Sequence, residues 1–432
     1  MSVARILMLA SVAGLGTALA ALTASGVPAV IAAEAPAAQA PAQPGRAAQS
    51  GQAAQSGQAA RPGQGAPSGL DAGAQLPLAE THEVLHLKPT DRRRLFVLDT
   101  MFPAAQAART YILDGTSGKL EGMFDQAYWP NFAVAPDGKE LYAVDTYWEK
   151  HTRGKRSDYL VVRDAQTLEV KEDVPLPAGR LLVVSKKTNF DVTPDGHYGL
   201  TYNLAPVTAV TVTDLKARKS VGSIPVPGCG LIFAQAPRRF SSLCADGSVI
   251  TVGFDEQAHA TTQRAEHVFD AKDDPAFEHS AWDKARRRLY LITYHGNVVP
   301  LSLGDAAPVA GAGWALASPA ERAAGWLPGG WQMSAVHSKR HEIYVLMHQG
   351  RYWTHKESGR EVWVFDADQG RRTRRIPLTE PAQSIAVSQD EDPLLYVITD
   401  SNKVAAYQAV SGRSLYSVGP VGFTPQLLSV WE

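Results

Sequence analysis

FAVAPDGKELYAVDTYW, residues 132–148, is the clearest copy of a pattern that runs through most of this chain. It starts with small and apolar residues, turns at Asp-Gly and continues as a run that carries an aromatic residue. Such runs, bounded by turn residues and rich in β-branched, aromatic and aliphatic side chains, are typical of short β-strands and too short for helices. The stretch therefore predicts two strands joined by a tight turn.

Six further stretches repeat the pattern at a nearly regular interval. They are RRRLFVLDTMF (92–102), FDVTPDGHYGLTYN (190–203), FAQAPRRFSSLCADGSVITV (233–252), SAWDKARRRLYLITYHGN (280–297), SAVHSKRHEIYVLMHQG (334–350) and SIAVSQDEDPLLYVITDSNK (384–403). The mean spacing of the seven starts is about 49 residues, which is typical of four-stranded propeller blades rather than of helical solenoids. We therefore predict an all-β fold, a seven-bladed β-propeller, closed by strands from both ends of the folded region.

The beginning of the chain has a different composition. Arg5 precedes an uncharged stretch, residues 6–33, with small-residue cleavage options, which predicts a secretory signal peptide over residues 1–33. A membrane anchor is the alternative for this stretch, although its glycines, its proline and its many alanines make it a poor permanent span. The Ala/Gln/Gly/Pro-rich residues 34–75 have almost no apolar bulk and predict a disordered spacer. The propeller is then predicted to occupy residues 76–432.

The charge balance limits the possible partners. The chain has 42 Lys and Arg against 43 Asp and Glu, a formal net charge of −1. Nucleic-acid binding or bulk binding to anionic membranes therefore has no electrostatic support.

The chain has two cysteines, Cys229 and Cys244, and both lie in one repeat. An even number of cysteines in an exported chain indicates a disulfide, and this separation suits neighbouring strands of one hairpin. Metal ligation or redox chemistry is the alternative, but neither CxxC spacing nor a nearby histidine supports it.

Catalytic motifs are almost absent from the sequence. His337, His341 and Glu342 fall in HSKRHE, which is not the HExxH pattern and lies in a predicted hairpin rather than on a helix. No GxSxG, GxGxxG or CxxCH occurs. Taken alone, the motifs describe an exported propeller that presents surfaces, without catalytic residues or a metal site in this chain.

Several separated motifs give the region from about residue 80 onward a clear resemblance to the heavy subunit of the quinoprotein amine dehydrogenases. This family comprises the methylamine and aromatic amine dehydrogenases of the bacterial periplasm. The motifs are RGKRSDYLVVRDAQTL (153–168), PGCGLIF (227–233), SSLCADGS (241–248), VFDAKDDPAF (268–277), GWLPGGWQ (325–332), THKESGREVWVFDADQG (354–370) and VSQDEDPLLY (387–396).

This resemblance implies a function that resides mainly in another chain. The family's heavy subunit carries no cofactor, and the light subunit holds tryptophan tryptophylquinone and the catalytic base. Two heavy and two light chains oxidise a small primary amine to aldehyde and ammonia, and a blue copper protein of the azurin or amicyanin type accepts the electrons. Some of the motifs resemble the aromatic amine branch of the family and others the methylamine branch, and together they favour aralkylamines slightly over methylamine. The resemblance implies a location in the periplasm.

The resemblance also implies roles for three aromatic residues. Phe102 stands where the family places a heavy-subunit aromatic residue at the mouth of the light subunit's pocket, although Pro103 and the alanines that follow could shift it. The alternative is an aromatic residue of the propeller face without substrate contact. Trp326 and Trp331 are candidates for the interface with the light subunit, and buried tryptophans that anchor an insertion are the alternative.

Two other classes of protein remain open from the sequence. One is a solitary secreted β-propeller that acts as a binding or scaffold module. The other is a propeller lactonase or similar metal hydrolase, which needs a cluster of metal-binding side chains near the central channel that the sequence does not identify.

Overall fold

The computed structural model describes residues 86–177 and 179–432 of the 432-residue chain. The predicted signal peptide (1–33) and spacer (34–75) lie outside the described residues. Both assignments therefore stay predictions, as does the predicted start of the propeller at residue 76.

The described residues form an all-β propeller, but not the seven-bladed one that the sequence predicted. Five sheets stand alone as blades of four or five strands. The first has β1 (Arg94–Asp99), β2 (Arg109–Asp114), β3 (Leu120–Asp125) and β30 (Pro425–Val430). The second has β4 (Asn131–Val134), β5 (Glu140–Lys150), β6 (Arg153–Asp164) and β7 (Val170–Leu176). The third has β8 (Gly179–Arg180), β9 (Phe190–Val192), β10 (Tyr198–Ala205), β11 (Ala209–Asp214) and β12 (Lys219–Pro225).

The next two blades follow in chain order. The fourth has β13 (Cys229–Ala236), β14 (Arg239–Cys244), β15 (Val249–Phe254) and β16 (Ala260–Ala265). The fifth has β17 (Ala281–Asp283), β18 (Arg288–Ile292), β19 (Asn297–Ser302), β20 (Val309–Ala310) and β21 (Trp314–Ala315).

The prediction of seven separate blades is wrong, because the last part of the chain forms one eight-stranded sheet. Its strands are β22 (Trp326–Pro328), β23 (Ser334–His337), β24 (Glu342–Gln349), β25 (Gly359–Asp366), β26 (Arg371–Val387), β27 (Leu394–Thr399), β28 (Val404–Gln408) and β29 (Ser414–Val418). The cause is β26, a strand of 17 residues. It pairs with β25 through its first half and with β27 through its second half. The repeats that start near residues 333 and 384 therefore share one sheet.

The first sheet joins the two ends of the described chain. β30 pairs antiparallel with β1, with Val97 opposite Leu428 and Leu98 opposite Leu427. This pairing confirms the predicted closure. Closing the ring removes sheet edges that would otherwise be open to aggregation.

Burial differs between the inner and outer strands of each sheet. All six residues of β1 and of β27 are buried, whereas most of β16 is exposed. Aromatic rings connect neighbouring sheets: the Phe132 ring of β4 lies 5.1 Å from Phe96 of β1 and 5.8 Å from Phe124 of β3, measured between centroids. The apolar positions of the repeats thus form the packing between blades.

Helix is a minor component of the described residues. The α-helix α1 (Pro319–Ala323) has a capping box, in which the Ser318 hydroxyl accepts from the Glu321 backbone N–H and the Glu321 carboxylate accepts from the Ser318 N–H. Two 3₁₀ helices span Phe102–Ala107 and Lys187–Asn189. None of the helices described here is long and apolar enough to cross a membrane.

Candidate functional site

Phe102 opens the 3₁₀ helix that follows β1. Its side chain is 40% exposed, although the chain on either side is well anchored. The Phe102 backbone N–H donates a 2.7 Å hydrogen bond to the hydroxyl of Thr424, in the connection between β29 and β30. The backbone of this aromatic residue is therefore held from the opposite end of the chain, while much of its ring remains available for contact.

Asp99, the last residue of β1, organises the two loops that meet at Phe102. The carboxylate is fully buried and accepts hydrogen bonds from the backbone N–H groups of Met101 at 3.0 Å, Phe423 at 2.8 Å and Thr424 at 2.8 Å. Because several amide donors converge on one carboxylate, the two loops behave as one unit. Phe423 lies in this unit and is 58% exposed.

Trp129 supports the Phe102 ring from the connection between β3 and β4. The two rings meet edge to face, with centroids 5.3 Å apart and an interplanar angle of 74°. Trp129 is only 8% exposed, and its backbone has a left-handed φ of 47°. A bulky residue in the left-handed region of φ/ψ space is strained, and it keeps that conformation only where the surrounding structure enforces it. The position of Trp129, and with it the support for Phe102, therefore depends on what holds this loop.

Arg180 of β8 holds that loop through its guanidinium group. Nη1 donates to the Trp129 carbonyl at 2.8 Å and to Asn131 Oδ1 at 3.2 Å, Nη2 donates to the Tyr128 carbonyl, and Nε donates to Thr146 Oγ1 at 2.8 Å. The Arg180 side chain is 1% exposed. Burial lowers its pKa to about 10, so the group remains charged at neutral pH.

Two carboxylates provide the counter-charge to this buried arginine. Asp158 lies 3.9 Å from Arg180 and forms a closer ion pair, at 2.8 Å, with Arg156. Asp145 is fully buried, and its Oδ1 accepts from the Ala127 N–H at 3.1 Å. Burial raises the pKa of Asp145 to about 6, against the lowering effects of that hydrogen bond and of Arg180.

One face of the propeller carries most of the exposed apolar side chains. Because neighbouring strands are antiparallel, the loops between the second and third strands of each blade and the connections between blades lie on the same face. Of the twelve exposed large hydrophobic residues in the described part, seven lie in or next to these loops. We call this the Phe102 face, and its members are Phe102, Tyr147, Val183, Leu204, Val207, Trp353 and Phe423. The Phe102 face therefore carries more of the exposed apolar side chains than the opposite face.

Three of these side chains, Tyr147, Trp353 and Phe423, are aromatic residues that the sequence motifs did not single out. Trp353 is 61% exposed and has a left-handed φ of 75°. Its ring lies near Tyr294, with centroids 5.7 Å apart. Large aromatic residues in predicted loops, such as Trp353 in RYWTHKE and Phe423 in GPVGFTP, are the sequence signal that could have found them.

Trp331 lies beside a partly exposed charged cluster formed by Lys186, Glu278 and Lys356. Its side chain is 8% exposed, and Lys356 Nζ lies 4.4 Å from the ring centroid. Lys186 and Lys356 lie 2.5 and 3.7 Å from Glu278 and lower its pKa to about 2, although burial opposes this shift. His279 hydrogen-bonds to the Trp331 carbonyl at 2.9 Å, and burial lowers its pKa to about 4, so it is neutral at physiological pH.

Trp326 lies elsewhere, on β22. It is partly buried against Trp363, with ring centroids 5.2 Å apart, and Arg375 covers it at 4.8 Å from the ring centroid. Trp326 and Trp331 are thus both packed against side chains of this chain. This packing agrees with the alternative interpretation, in which the two tryptophans anchor an insertion instead of contacting a partner. Their assignment to the light-subunit interface stays a prediction.

The disulfide is present where the sequence places it. Cys229 and Cys244 are bonded to each other and are directly opposed residues of β13 and β14. The bond therefore joins two paired strands of the fourth blade.

A central cavity of about 470 Å³ has Pro136, Pro194 and Pro237 at its rim. These residues lie in turns between the first and second strands of their blades, so this opening lies on the face opposite Phe102. The charged lining is internally paired, with Lys284 2.5 Å from Asp191 and Lys187 3.0 Å from Glu432. Among the residues that the structure describes, no group of three or more His, Cys, Asp or Glu side chains could hold a metal ion.

Comparison with known proteins gives one consistent result. The sequence profile of the family described as methylamine dehydrogenase heavy chain (MADH) matches residues 91–431. The methylamine dehydrogenase heavy chain of Methylobacillus flagellatus is 33% identical over 342 residues, covering 78% of this chain and 85% of that protein. The corresponding protein of Paracoccus versutus is 34% identical over 358 residues, covering 82% of this chain and 83% of that protein.

Comparison with solved structures supports the fold. Dihydro-heme d1 dehydrogenase NirN in complex with DHE matches with a TM-score of 0.51 and 15% identity, over 83% of this chain and 71% of that chain. At this level of identity, the similarity shows the fold alone.

The closed ring of sheets defines a β-propeller, and its Phe102 face carries seven exposed apolar side chains. The chain belongs to the methylamine dehydrogenase heavy chain family. This result confirms the resemblance seen in the separated sequence motifs and identifies the chain as a heavy subunit of the amine dehydrogenase type. Membership of this family implies a light-chain partner.

Proposed function

We propose that this chain is the heavy subunit of a periplasmic amine dehydrogenase whose light subunit docks on the Phe102 face. The observation that carries the proposal is the Phe102 ring, which is exposed although its backbone is fixed by a hydrogen bond to Thr424. The ring lies on a face with other exposed apolar side chains, and the chain belongs to this family. A residue at the mouth of a pocket in another chain needs this combination of an anchored backbone and an exposed ring. Two heavy and two light chains would make up the working enzyme.

Within this proposal, the redox chemistry belongs to the light subunit. Tryptophan tryptophylquinone, when present there, would accept the electrons of a primary amine as the amine is converted to aldehyde and ammonia. This chain's own contribution is to cover the pocket mouth, to exclude water from it and to present an aromatic surface to the substrate. A cofactor within this chain is not part of the proposal.

Two observations bear on the choice of substrate. The relatives that match over most of the chain are methylamine dehydrogenase heavy chains, which supports a short alkyl amine. The edge-to-face pair of Phe102 and Trp129 offers an aromatic surface, which supports an aralkylamine. We keep the slight preference for aralkylamines as a prediction, to be decided by comparing phenylethylamine with methylamine.

The location and the electron acceptor are further parts of the proposal. The signal-like start of the sequence and the disulfide both favour an oxidising compartment outside the cytoplasm, here the periplasm. The proposed acceptor is a blue copper protein of the azurin or amicyanin type, as the family resemblance implies.

Co-expression tests the proposal directly. The chain is produced alone and together with a tryptophylquinone light subunit and its maturation enzymes, and amine-dependent dye reduction is measured in both preparations. We expect the chain alone to be colourless and inactive and the co-expressed complex to be active. Amine oxidation by the isolated chain would contradict the proposal. A folded chain that forms no complex with the light subunit would favour a solitary binding or scaffold propeller.

A further inference from the structure

We propose that Arg180 is a positioning residue for substrate selection, which acts by holding Trp129 and, through it, the ring of Phe102. The inference rests on the proposed function, in which Phe102 lies at the mouth of the light subunit's pocket. Arg180 itself is buried on a different blade and has no direct contact with Phe102 among its hydrogen bonds.

The first step is the arrangement of donors on the guanidinium. Arg180 donates to two consecutive backbone carbonyls, those of Tyr128 and Trp129, and also to the Asn131 side chain. A planar group with fixed donors can hold adjacent carbonyls in one geometry, whereas a lysine ammonium on a flexible stem cannot. The guanidinium is thus matched to the backbone of this loop.

The second step concerns the backbone strain at Trp129. Its φ of 47° is unfavourable for a bulky residue, and such conformations persist only where the surroundings enforce them. The Ala127 N–H donates a hydrogen bond to the Asp145 carboxylate, and the Tyr128 N–H donates to the Thr146 carbonyl at 3.2 Å. These contacts hold the start of the loop, while Arg180 holds the strained position itself.

The third step leads from Trp129 to Phe102. The Trp129 ring is the aromatic contact of Phe102 in the described structure, at 5.3 Å between centroids. The hydrogen bond to Thr424 fixes the Phe102 backbone but leaves the rotation of its ring free. The position of the Trp129 ring therefore decides which part of the Phe102 ring faces outward. Loss of the two hydrogen bonds from the Arg180 guanidinium to the Tyr128 and Trp129 carbonyls is expected to let the Trp129 ring move.

The experiment uses the assembled enzyme with Arg180→Lys, which keeps the charge and removes the fork. The matched control is Arg94→Lys, because the Arg94 side chain is also 1% exposed and forms a 3.2 Å ion pair with Glu121 at the far end of β1 from Phe102. Phe102→Ala reports separately on whether Phe102 touches substrate. Trp129→Leu removes the supporting ring itself and serves as a second variant if Arg180→Lys does not assemble.

Two measurements are made on every variant. In steady-state kinetics with phenylethylamine and methylamine, we expect Arg180→Lys to change the ratio of the two kcat/KM values by about 3-fold, mostly through KM, because the ring is displaced rather than removed. Hydrogen exchange should become faster for the peptide covering residues 126–131 in Arg180→Lys. Arg94→Lys should change neither the ratio nor this exchange.

The outcomes separate the two proposals. If Phe102→Ala changes the ratio but neither Arg180→Lys nor Trp129→Leu does, the positioning role of Arg180 is refuted and the proposed function stands. If Phe102→Ala leaves the ratio unchanged in an active enzyme, the placement of Phe102 at the pocket mouth is refuted, and the inference about Arg180 falls with it. An equal shift in Arg180→Lys and Arg94→Lys would show a general effect of losing a buried arginine and would also overturn the inference.

Discussion

Replacing Phe102 with alanine is the most direct perturbation of the proposed substrate mouth. The side chain is 40% exposed, so a substrate in the mouth can cover at most that part of the ring. With about 200 Å² for a whole phenylalanine side chain, the available contact is about 80 Å². At about 25 cal/mol per Å² this contact is worth about 2 kcal/mol, or about 30-fold in kcat/KM.

The loss depends on the size of the substrate. Phenylethylamine can cover most of the exposed ring, whereas methylamine has one carbon, whose burial is worth about 0.8 kcal/mol. The expected difference between the two substrates is therefore about 1.2 kcal/mol, which corresponds to a change of about 8-fold in the ratio of their kcat/KM values. Phe102→Ala should lower the preference for phenylethylamine by this factor.

The assay is dye reduction by the assembled enzyme, with both amines, in the wild type and in the variant. Phe423→Ala is a matched control, because Phe423 is also exposed on the Phe102 face and belongs to the same Asp99-bound loops, but lies on the other connection. An unchanged ratio in Phe102→Ala, with the complex still assembled, would refute the reasoning. Phe102 would then be a residue of the face without substrate contact.

Three further predictions concern stability, each measured by denaturant unfolding. Replacing Cys229 and Cys244 with serine should lower the free energy of unfolding by about 3 kcal/mol, because the bond closes a loop with a sequence separation of 15. Glu342→Gln should lower the free energy of unfolding by roughly 3 kcal/mol. The substitution leaves the Arg374 guanidinium, which donates to the Glu342 carboxylate at 2.8 and 2.9 Å, without its charged partner. A change below about 0.5 kcal/mol would contradict a structural role for this pair. Asp145 has a folded-state pKa of about 6, above its usual value of about 4, so the stability that it contributes at low pH is lost as the pH rises through 6. Asp145→Asn should therefore lose less stability than the wild type between pH 4 and pH 7, and parallel pH curves would show that the carboxyl group does not titrate in this range.

The propeller was predictable because its signal is local. Each repeat contains its own strand pattern and turn, as in Phe132–Trp148, and these residues pack mainly against neighbouring repeats. The count of separate blades was not predictable, because it depends on whether one strand continues from one repeat into the next. Pro377 and Pro381 suggest an interruption within β26, since proline lacks the backbone donor of a sheet ladder. The strand nevertheless continues through both prolines and joins two repeats in one sheet.

The candidate site likewise has a part that the sequence could predict and a part that it could not. Phe102 was found because it follows a predicted strand at a position that the family resemblance marks. Arg180 was not found, because the partners through which it holds the loop are two backbone carbonyls about 50 residues earlier in the chain, in addition to the side chains of Asn131 and Thr146. Every residue has a backbone carbonyl, so such partners leave no mark on a sequence pattern. Trp129 was missed for a related reason, since its strained backbone depends on that distant arginine.

The contrast between Phe102 and Trp331 shows what an aromatic residue needs in order to serve a partner. Trp331 follows two glycines in a motif that resembles the family, yet it is 8% exposed and Lys356 covers its ring. Phe102 has less distinctive neighbours but keeps 40% of its surface free on a base fixed by Asp99 and Thr424. An aromatic residue contributes most to recognition when it is rigid before the partner arrives, because less conformational entropy is then lost on binding. Asp99 fixes the loops at Phe102 and Arg180 fixes the loop at Trp129, each through its own hydrogen bonds. The selectivity of an enzyme whose redox chemistry lies in one subunit would then depend on charged residues buried in the interior of the other.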